Sequence, residues 1–199
     1  MDEITRAALN FDQLLKSTYV FTLSKKRKIL EFSVDFVNTD FFHIAGLQYL
    51  DDIVFDQTRN RTISLVLSGV ISDQLLSSAV MYHTVAGIEH SDVRGRIRRL
   101  IKLERYLDTD NIIRVYVVRP QDRGSLIDAD YVIKSQLPED TSPVFIFLRK
   151  RSKGDCYGIS SMFEKKSNEY AGEQLFWMKK TKITNGIENV LYKHPNYEG

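Results

Sequence analysis

Residues that cross-link or interrupt a chain are scarce in this sequence. Its 199 residues include a single cysteine, Cys156, together with four prolines and ten glycines that do not cluster. One cysteine cannot form a disulfide within the chain, and it excludes zinc or iron–sulfur sites that need several thiolates. A single thiol also suits a reducing compartment, so we expect a cytoplasmic protein.

Long apolar runs and targeting signals are missing as well. No stretch approaches the ~18 uninterrupted apolar residues that predict a transmembrane helix. The first residues, Met1-Asp2-Glu3-Ile4, lack the basic start and apolar run of a signal peptide, and lipidation motifs are absent. We therefore expect no membrane partner.

Neither sign of charge dominates the composition. The chain carries 28 basic and 26 acidic residues, and its net charge of +2 excludes a strongly basic, chromatin-type protein. Residues 1–90 hold 8 basic and 11 acidic side chains, whereas residues 91–199 hold 20 and 15. The second half is the better candidate for binding a polyanion, and an ordinary solvated surface of mixed charge is the alternative.

Motifs that would identify a common enzyme class do not occur. The sequence has no P-loop, no dinucleotide-binding glycine motif, no H-E-x-x-H zinc motif and no G-x-S-x-G nucleophile motif. None of its histidines has metal-ligand spacing with a carboxylate on one helix face; they are His43, His83, His90 and His194. We therefore predict no metal site and no cofactor.

Length and composition predict one compact domain over residues 1–199. The chain is 43% apolar, 11% aromatic and 27% charged, which is typical of a globular protein. No repeat, low-complexity tract or linker divides it. We expect a helix-rich part with an early hairpin (1–108), a strand-rich part (111–183) and an irregular tail (184–199).

Hydrophobic periodicity places helices and one hairpin in the first half. Apolar residues at helical spacing predict amphipathic helices over residues 3–16 and 92–107. Alternating apolar and polar residues predict a β-hairpin between residues 19 and 36. Residues 40–50 are apolar nearly all round, which is typical of a buried helix.

The second half has the pattern of a sheet. β-Branched and aromatic runs of strand length occur at residues 112–118, 131–137, 144–149, 156–163 and 175–183. Polar turns separate these runs. Helices followed by strands predict an α+β fold, in which N-terminal helices pack on one face of a mainly antiparallel β-sheet.

Basic residues within these strands are the first candidates for a site. Lys134 interrupts an apolar run, and Arg149 shares a strand face with Phe145 and Phe147. Cations hold phosphates and aromatic rings stack on exposed bases, so this face is a candidate surface for RNA. The alternative is an ordinary half-solvated sheet whose basic side chains contact water.

The predicted strand at residues 156–163 adds hydroxyl groups. Strict alternation places Tyr157 and Ser161 on one face and Ser160 on the other. A site on a flat strand can therefore use at most one of the two serines.

His43 is the histidine best placed to do chemistry. It lies in the apolar segment 40–50, and the small Gly46 three residues later would let another group approach closely. An imidazole with a pKa near neutrality suits proton transfer at cellular pH. The alternative is a hydrogen-bonded core histidine.

Three stretches of the sequence together resemble a known family. They are DFFHIAGL at residues 40–47, IDADYVI at 127–133 and YGISSMF at 157–163, the last followed by Glu169-Tyr170 and Gln174. Their order and spacing resemble the fourth group of the phage-associated barnase–EndoU–colicin–RelE-like nucleases (PBECR). The resemblance covers residues 17–183.

This resemblance implies a BECR-like fold and a function. The fold would be an antiparallel sheet with N-terminal helices on one face. The function would be that of a metal-independent endoribonuclease, of phage or toxin-like type, which cleaves RNA through attack of the ribose 2′-hydroxyl. RNA is then the expected partner, and an inhibitor or antitoxin protein is a further partner to look for.

The resemblance also suggests roles for the candidate residues. His43 would act as acid or base, while Lys134 and Arg149 would stabilise negative charge on the phosphate. Ser160, counted with the catalytic group, would position ribose or phosphate. The residues expected to bind substrate are Tyr157 and Ser161, at ribose or phosphate, and Tyr170 and Gln174, which would hold a base or order a loop.

Two further functions are compatible with the sequence. The chain could be a non-catalytic module that binds nucleic acid or a protein, of phage or mobile-element origin, and the modest net charge favours this alternative slightly. It could also be a phage assembly protein, although coiled-coil heptads are absent.

Overall fold

The computed structural model describes residues 1–55, 59–86, 92–118, 127–152, 155–164, 170 and 172–198. The chain divides into two compact units. The first comprises Met1–Leu15 and Val37–Glu104, and the second comprises Lys16–Phe36 and Arg105–Gly199. The early hairpin thus belongs to the strand-rich unit. A single domain over residues 1–199 stays a prediction.

The described part of the first unit is helical. Its helices are α1 (Glu3–Leu14), α2 (Asn38–Ile44), α3 (Thr62–Leu67), α4 (Asp73–Leu76) and α5 (Val93–Leu100). Helix α1 confirms the predicted amphipathic pattern, since one of its faces is buried; the buried residues are Ile4, Ala7, Ala8, Phe11 and Leu14. The ring of Phe11 packs edge-on against Phe41 of α2, with centroids 5.6 Å apart. The two helices therefore share one apolar core.

Helix α2 is shorter than the predicted segment 40–50. It ends at Ile44, and Gly46 then adopts a left-handed conformation with φ +78°. A Cβ atom on Gly46 would lie 2.6 Å from Cδ of Arg96. The missing side chain of Gly46 thus leaves room for the buried side chain of Arg96, which belongs to the same unit. The guanidinium carbon of Arg96 lies 5.0 Å from the ring centre of Tyr49.

The second unit contains the strands. They are β1 (Ser17–Lys25), β2 (Lys28–Val34), β3 (Ile112–Val115), β4 (Tyr131–Ser135), β5 (Val144–Lys150), β6 (Cys156–Glu164), β7 (Gln174–Thr184) and β8 (Ile187–Lys193). The boundary between the units falls within α6 (Leu103–Asp108). Strands β1 and β2 confirm the predicted hairpin, and β8 lies in the tail that the sequence predicted to be irregular.

Seven of these strands close into a barrel. Their order is β1-β2-β6-β5-β4-β3-β7, and β7 pairs back with β1, while β8 adds to β7 outside the ring. Neighbours are antiparallel except for the short β2–β6 pair. The predicted α+β arrangement, with N-terminal helices packed on one face of a sheet, is therefore wrong. Closure depends on pairs such as Ser17–Thr184, which local sequence patterns do not reveal.

Aromatic side chains fill the inside of the barrel. Phe32 of β2 stacks on Tyr131 of β4 at 4.8 Å, although two strands separate β2 from β4 in the ring. These rings must therefore meet across the interior. Phe21 of β1 lies 5.7 Å from Phe32 and 4.9 Å from Trp177 of β7, centre to centre, so rings from four strands share this core.

A bulge in β6 changes which of its side chains face inward. Phe147 of β5 pairs with Ser161 and Leu148 pairs with Ile159, so Ser160 is an extra residue. One extra residue shifts the alternation of faces by one. Ile159 therefore faces inward together with Tyr157, whereas Ser161 faces outward.

Replacing Phe21 by alanine is expected to lower the free energy of unfolding by about 3–5 kcal/mol, because a fully buried ring leaves a cavity. The same replacement at Phe176, which is 62% exposed on β7, is expected to change it by less than about 0.5 kcal/mol. Urea denaturation measures both. Equal losses would contradict the assignment of inner and outer faces.

Candidate functional site

Two rows of side chains cross the outer face of the barrel. One row runs Gln174, Arg114, Val132, Phe147, Ser161 over strands β7, β3, β4, β5 and β6. The next runs Ile112, Lys134, Phe145, Phe163 over β3 to β6. Residues directly opposite each other in paired strands point to the same face. We call this surface the outer-face site.

The centre of the outer-face site is an aromatic cluster. Its buried members are Tyr116, Val132, Phe145, Phe147 and Tyr170. The ring centre of Tyr170 lies 5.0 Å from those of both Phe145 and Phe147. The polar members of the two rows are half-buried around this cluster, and they are Arg114, Lys134, Ser161 and Gln174. The site therefore combines an apolar centre with two cations and two neutral hydrogen-bonding groups.

The backbone at Gly172 packs directly against strand β3. It adopts φ +133°, and a Cβ atom there would lie 1.7 Å from the carbonyl oxygen of Val115, so only glycine fits. The amide of Val115 donates to the carbonyl of Glu173 at 2.9 Å. Arg114 Nη1 lies 3.4 Å from the carbonyl oxygen of Gly172. This close approach brings the chain beside Tyr170 to the outer-face site.

Tyr116 carries a buried hydroxyl group that no other described residue contacts through a hydrogen bond. The side chain is 7% exposed, and its Oη atom has no hydrogen-bond partner in the described part of the chain. A buried hydroxyl without a partner costs about 1–3 kcal/mol of stability. Such groups are rare in proteins and call for an explanation.

Arg149 lies further along the outer face of β5, past Phe147. As predicted, it shares that face with Phe145 and Phe147, because the bulge lies in β6 and not in β5. Its guanidinium contacts Asp128 at 3.0 Å, and both side chains are largely exposed. Exposed ion pairs of this kind contribute little, about 0–1 kcal/mol, so Arg149 can exchange Asp128 for another anion.

Two predicted site residues point elsewhere. Tyr157 faces the barrel interior, where its ring lies 4.6 Å from Phe32 and 5.3 Å from Tyr131. Burial and the neighbouring Tyr157 raise the pKa of Tyr131 to about 12. Ser160 Oγ lies 3.4 Å from the carbonyl oxygen of Phe147, within the bulge. The prediction that Tyr157 and Ser161 share a face is wrong, because the bulge separates them.

His43 belongs to the first unit, on α2. Its Nε2 atom lies 3.0 Å from Nη1 of Arg59, whose guanidinium also lies 5.6 Å from the ring centre of Phe42. Burial and the charge of Arg59 lower the pKa of His43, and Asp40 opposes them. Because arginine only donates, Nε2 accepts the hydrogen bond and the neutral ring carries its proton on Nδ1. In this arrangement Nε2 is occupied, so it can accept a proton only after the Arg59 guanidinium moves away from it.

Two lysines of β7 have a structural role inside the second unit. Lys180 is buried, and its ammonium group donates to the carbonyl oxygens of Leu107 at 3.1 Å and Thr109 at 2.8 Å. Burial lowers the pKa of Lys180 to about 8 against the effect of nearby carboxylates. Lys182 lies 3.6 Å from Asp108. Both lysines hold the C-terminal end of α6, so they are not candidates for the outer-face site.

The sequence did not single out Arg59, Arg114 or Tyr116. Arg114 could have been found, because it interrupts an apolar strand as Lys134 does. Arg59 lies in a polar segment with no periodic pattern, and Tyr116 resembles any strand tyrosine. His90 and Glu169, which the sequence analysis named, lie outside the described residues.

Neither a cluster of metal ligands nor a membrane-spanning helix occurs among the described residues. Within the described ranges, no group of three or more His, Cys, Asp or Glu side chains is placed to hold a metal ion. Across the same ranges, no helix has the length and apolar character needed to span a membrane.

Comparison with protein families identifies the class of protein. A nuclease family, described as phage-Barnase-EndoU-ColicinE5/D-RelE like nuclease4 (PBECR4), matches residues 3–196. The match spans nearly the whole chain, so the protein belongs to this family, as the sequence resemblance implied. No curated protein and no solved structure is similar enough to this chain to count as a match.

Replacing Arg59 by glutamine is expected to raise the pKa of His43 toward the ordinary histidine value, because one of the two causes that lower it is removed. An NMR titration of the imidazole protons measures the shift. Arg6→Gln, which removes an exposed arginine on α1, is the matched control. An unchanged pKa in Arg59→Gln would show that Arg59 does not hold His43.

Proposed function

We propose that this protein is an endoribonuclease that needs no metal ion and cleaves RNA through attack of a ribose 2′-hydroxyl. One observation carries the proposal: Arg114 and Lys134 stand in adjacent rows of the outer-face site, beside an aromatic cluster, in a member of a nuclease family. Membership of that family supports a nucleic-acid substrate. The choice of RNA and the mechanism are the proposal.

The outer-face site supplies what binding of the backbone requires. Arg114 and Lys134 lie on the neighbouring strands β3 and β4, so their charges can meet one phosphate or two successive phosphates. Arg149 extends the positive charge along the same face of β5. Ser161 and Gln174, at the two ends of one row, can donate hydrogen bonds to ribose or phosphate oxygens.

The chemistry requires proton transfer and charge stabilisation. A base removes the proton of the 2′-hydroxyl, and O2′ attacks phosphorus while the bond from phosphorus to O5′ breaks. An acid then protonates O5′, which leaves a 2′,3′-cyclic phosphate and a 5′-hydroxyl. The cations stabilise the extra negative charge that develops on the non-bridging oxygens. No metal-bound water takes part in this sequence of steps.

His43, in the first unit, is proposed as the base because of its side-chain chemistry, and not because of any position relative to the outer-face site. Its lowered pKa keeps the imidazole neutral near pH 7, which a proton acceptor requires. Lys134 is proposed as the principal cation, since it is half-buried and therefore less screened than Arg149.

A cleavage assay on total RNA and tRNA in EDTA tests the proposal. The wild type is expected to cleave and to leave 2′,3′-cyclic ends. His43→Ala and Lys134→Ala are each expected to lower the rate by ~10²-fold or more, because they remove proton transfer and charge stabilisation. Matched controls are His83→Ala and Lys28→Ala, which remove exposed side chains of the same types.

Circular dichroism melts show whether each variant is folded. Loss of activity in EDTA, or ends without a cyclic phosphate, would contradict the mechanism. Binding of RNA that weakens with salt, without any cleavage, would identify the alternative, a non-catalytic binding module. A growth test distinguishes a ribonuclease from a binding module. Expression of an active ribonuclease is expected to stop growth unless an inhibitor protein is also present, whereas a binding module is not.

A further inference from the structure

The hydroxyl group of Tyr116 is buried and has no hydrogen-bond partner in the described part of the chain. The ring of Tyr116 lies 5.3 Å from that of Phe147, centre to centre, within the outer-face site. Its side chain is more than nine-tenths buried, and the Oη atom has no partner among the residues that the structure describes. Buried tyrosine hydroxyls normally form a hydrogen bond. A ligand group bound beside this atom would supply one.

Tyr170 occupies the space between the rings of this site. Its ring is edge-on to Phe145 and Phe147, at 5.0 Å from each, and 5.9 Å from Tyr116. Phe163 stacks on Phe147 at 5.2 Å, and its ring centre lies 6.3 Å from that of Tyr170. Aromatic walls around a flat ring are the usual surroundings of an unstacked nucleobase.

Cations flank the same space. Arg114 and Lys134 lie in the two rows that cross the cluster, directly opposite Val132 and Phe145 respectively. A nucleotide has the same composition, a flat ring joined through a ribose to a phosphate. The site therefore matches one nucleotide of a single strand in both its apolar and its charged parts.

We propose that the outer-face site binds one pyrimidine base of the RNA in the position that the Tyr170 ring holds in the free protein, with its edge hydrogen-bonded to the Tyr116 hydroxyl. This inference rests on the proposed function and names its substrate. The exchange keeps the contacts with Phe145 and Phe147, because one six-membered ring replaces another. It also adds the hydrogen bond that Tyr116 lacks in the free protein.

We call the space that the Tyr170 ring occupies the slot. Its size and the hydroxyl group of Tyr116 together determine which bases bind. A purine is larger than the phenol ring that the base replaces, so it is expected to fit less well. A site that carries a buried hydrogen-bonding group also discriminates against rings that leave the group unpaired. Cleavage is therefore expected next to pyrimidines.

Calorimetric titration with the four nucleoside 3′-monophosphates tests the proposal. The wild type is expected to bind the uridine and cytidine compounds at least about tenfold more tightly than the purines. Tyr116→Phe is expected to weaken pyrimidine binding by about tenfold, with a melting temperature equal to or above that of the wild type. Tyr192→Phe, on β8, is the matched control and should bind as the wild type does.

Tyr170→Ala provides the second variant. Emptying the slot is expected to tighten pyrimidine binding, because the base no longer displaces a ring. Three outcomes would overturn the proposal: equal binding of all four nucleotides, no binding at millimolar concentration, or Tyr116→Phe that melts higher and binds as the wild type does. The last result would show that the hydroxyl destabilises the folded protein and takes no part in binding.

Different results would refute the pyrimidine slot and the proposed ribonuclease activity. Nucleotide binding requires no cleavage, so pyrimidine binding without RNA cleavage would refute the nuclease mechanism and leave the slot standing. RNA cleavage with no preference for pyrimidines, unchanged in Tyr116→Phe, would refute the slot and leave the mechanism standing.

Discussion

The pairing of β1 with β7 is the contact on which the second unit depends. It runs from Ser17–Thr184 to Ser24–Phe176 and turns a sheet of eight strands into a closed ring of seven. Closure pairs backbone groups that an open edge would leave exposed, and it gives the sheet an inside and an outside. One set of aromatic rings, from β1, β2, β4 and β7, packs on the inside. The outside carries the aromatic cluster and the cations of the outer-face site.

The bulge at Ser160 decides which hydroxyl groups reach that surface. Without the bulge, Tyr157 and Ser161 would point to the same face. Either Tyr157 would then leave the barrel core, or Ser161 would leave the outer-face site. With the bulge, Tyr157 remains stacked on Phe32 inside the barrel while Ser161 stands opposite Phe147 outside. One inserted residue thus separates the structural and the proposed binding roles of a single strand.

The sequence predicted what depends on local pattern. Alternation identified the β1–β2 hairpin, and helical spacing identified α1. The order of short motifs pointed to the nuclease family that matches the chain. The pairing of β1 with β7 and the bulge at Ser160 could not be predicted from the sequence, because neither changes the local pattern of residues. Of the eight candidate residues, Lys134, Ser161, Tyr170 and Gln174 meet on the outer-face site, Arg149 extends its face, and His43 lies in the other unit.

The proposed function requires RNA to bind across strands β3 to β6 on the outer face of the barrel. Photocrosslinking tests this binding with a 2′-O-methylated oligonucleotide that carries 4-thiouridine and cannot be cleaved by 2′-hydroxyl attack. Mass spectrometry of the crosslinked peptides should find the adducts at Tyr116, Phe163 and Tyr170. Adducts confined to β8, or to the exposed side of α1, would contradict the account.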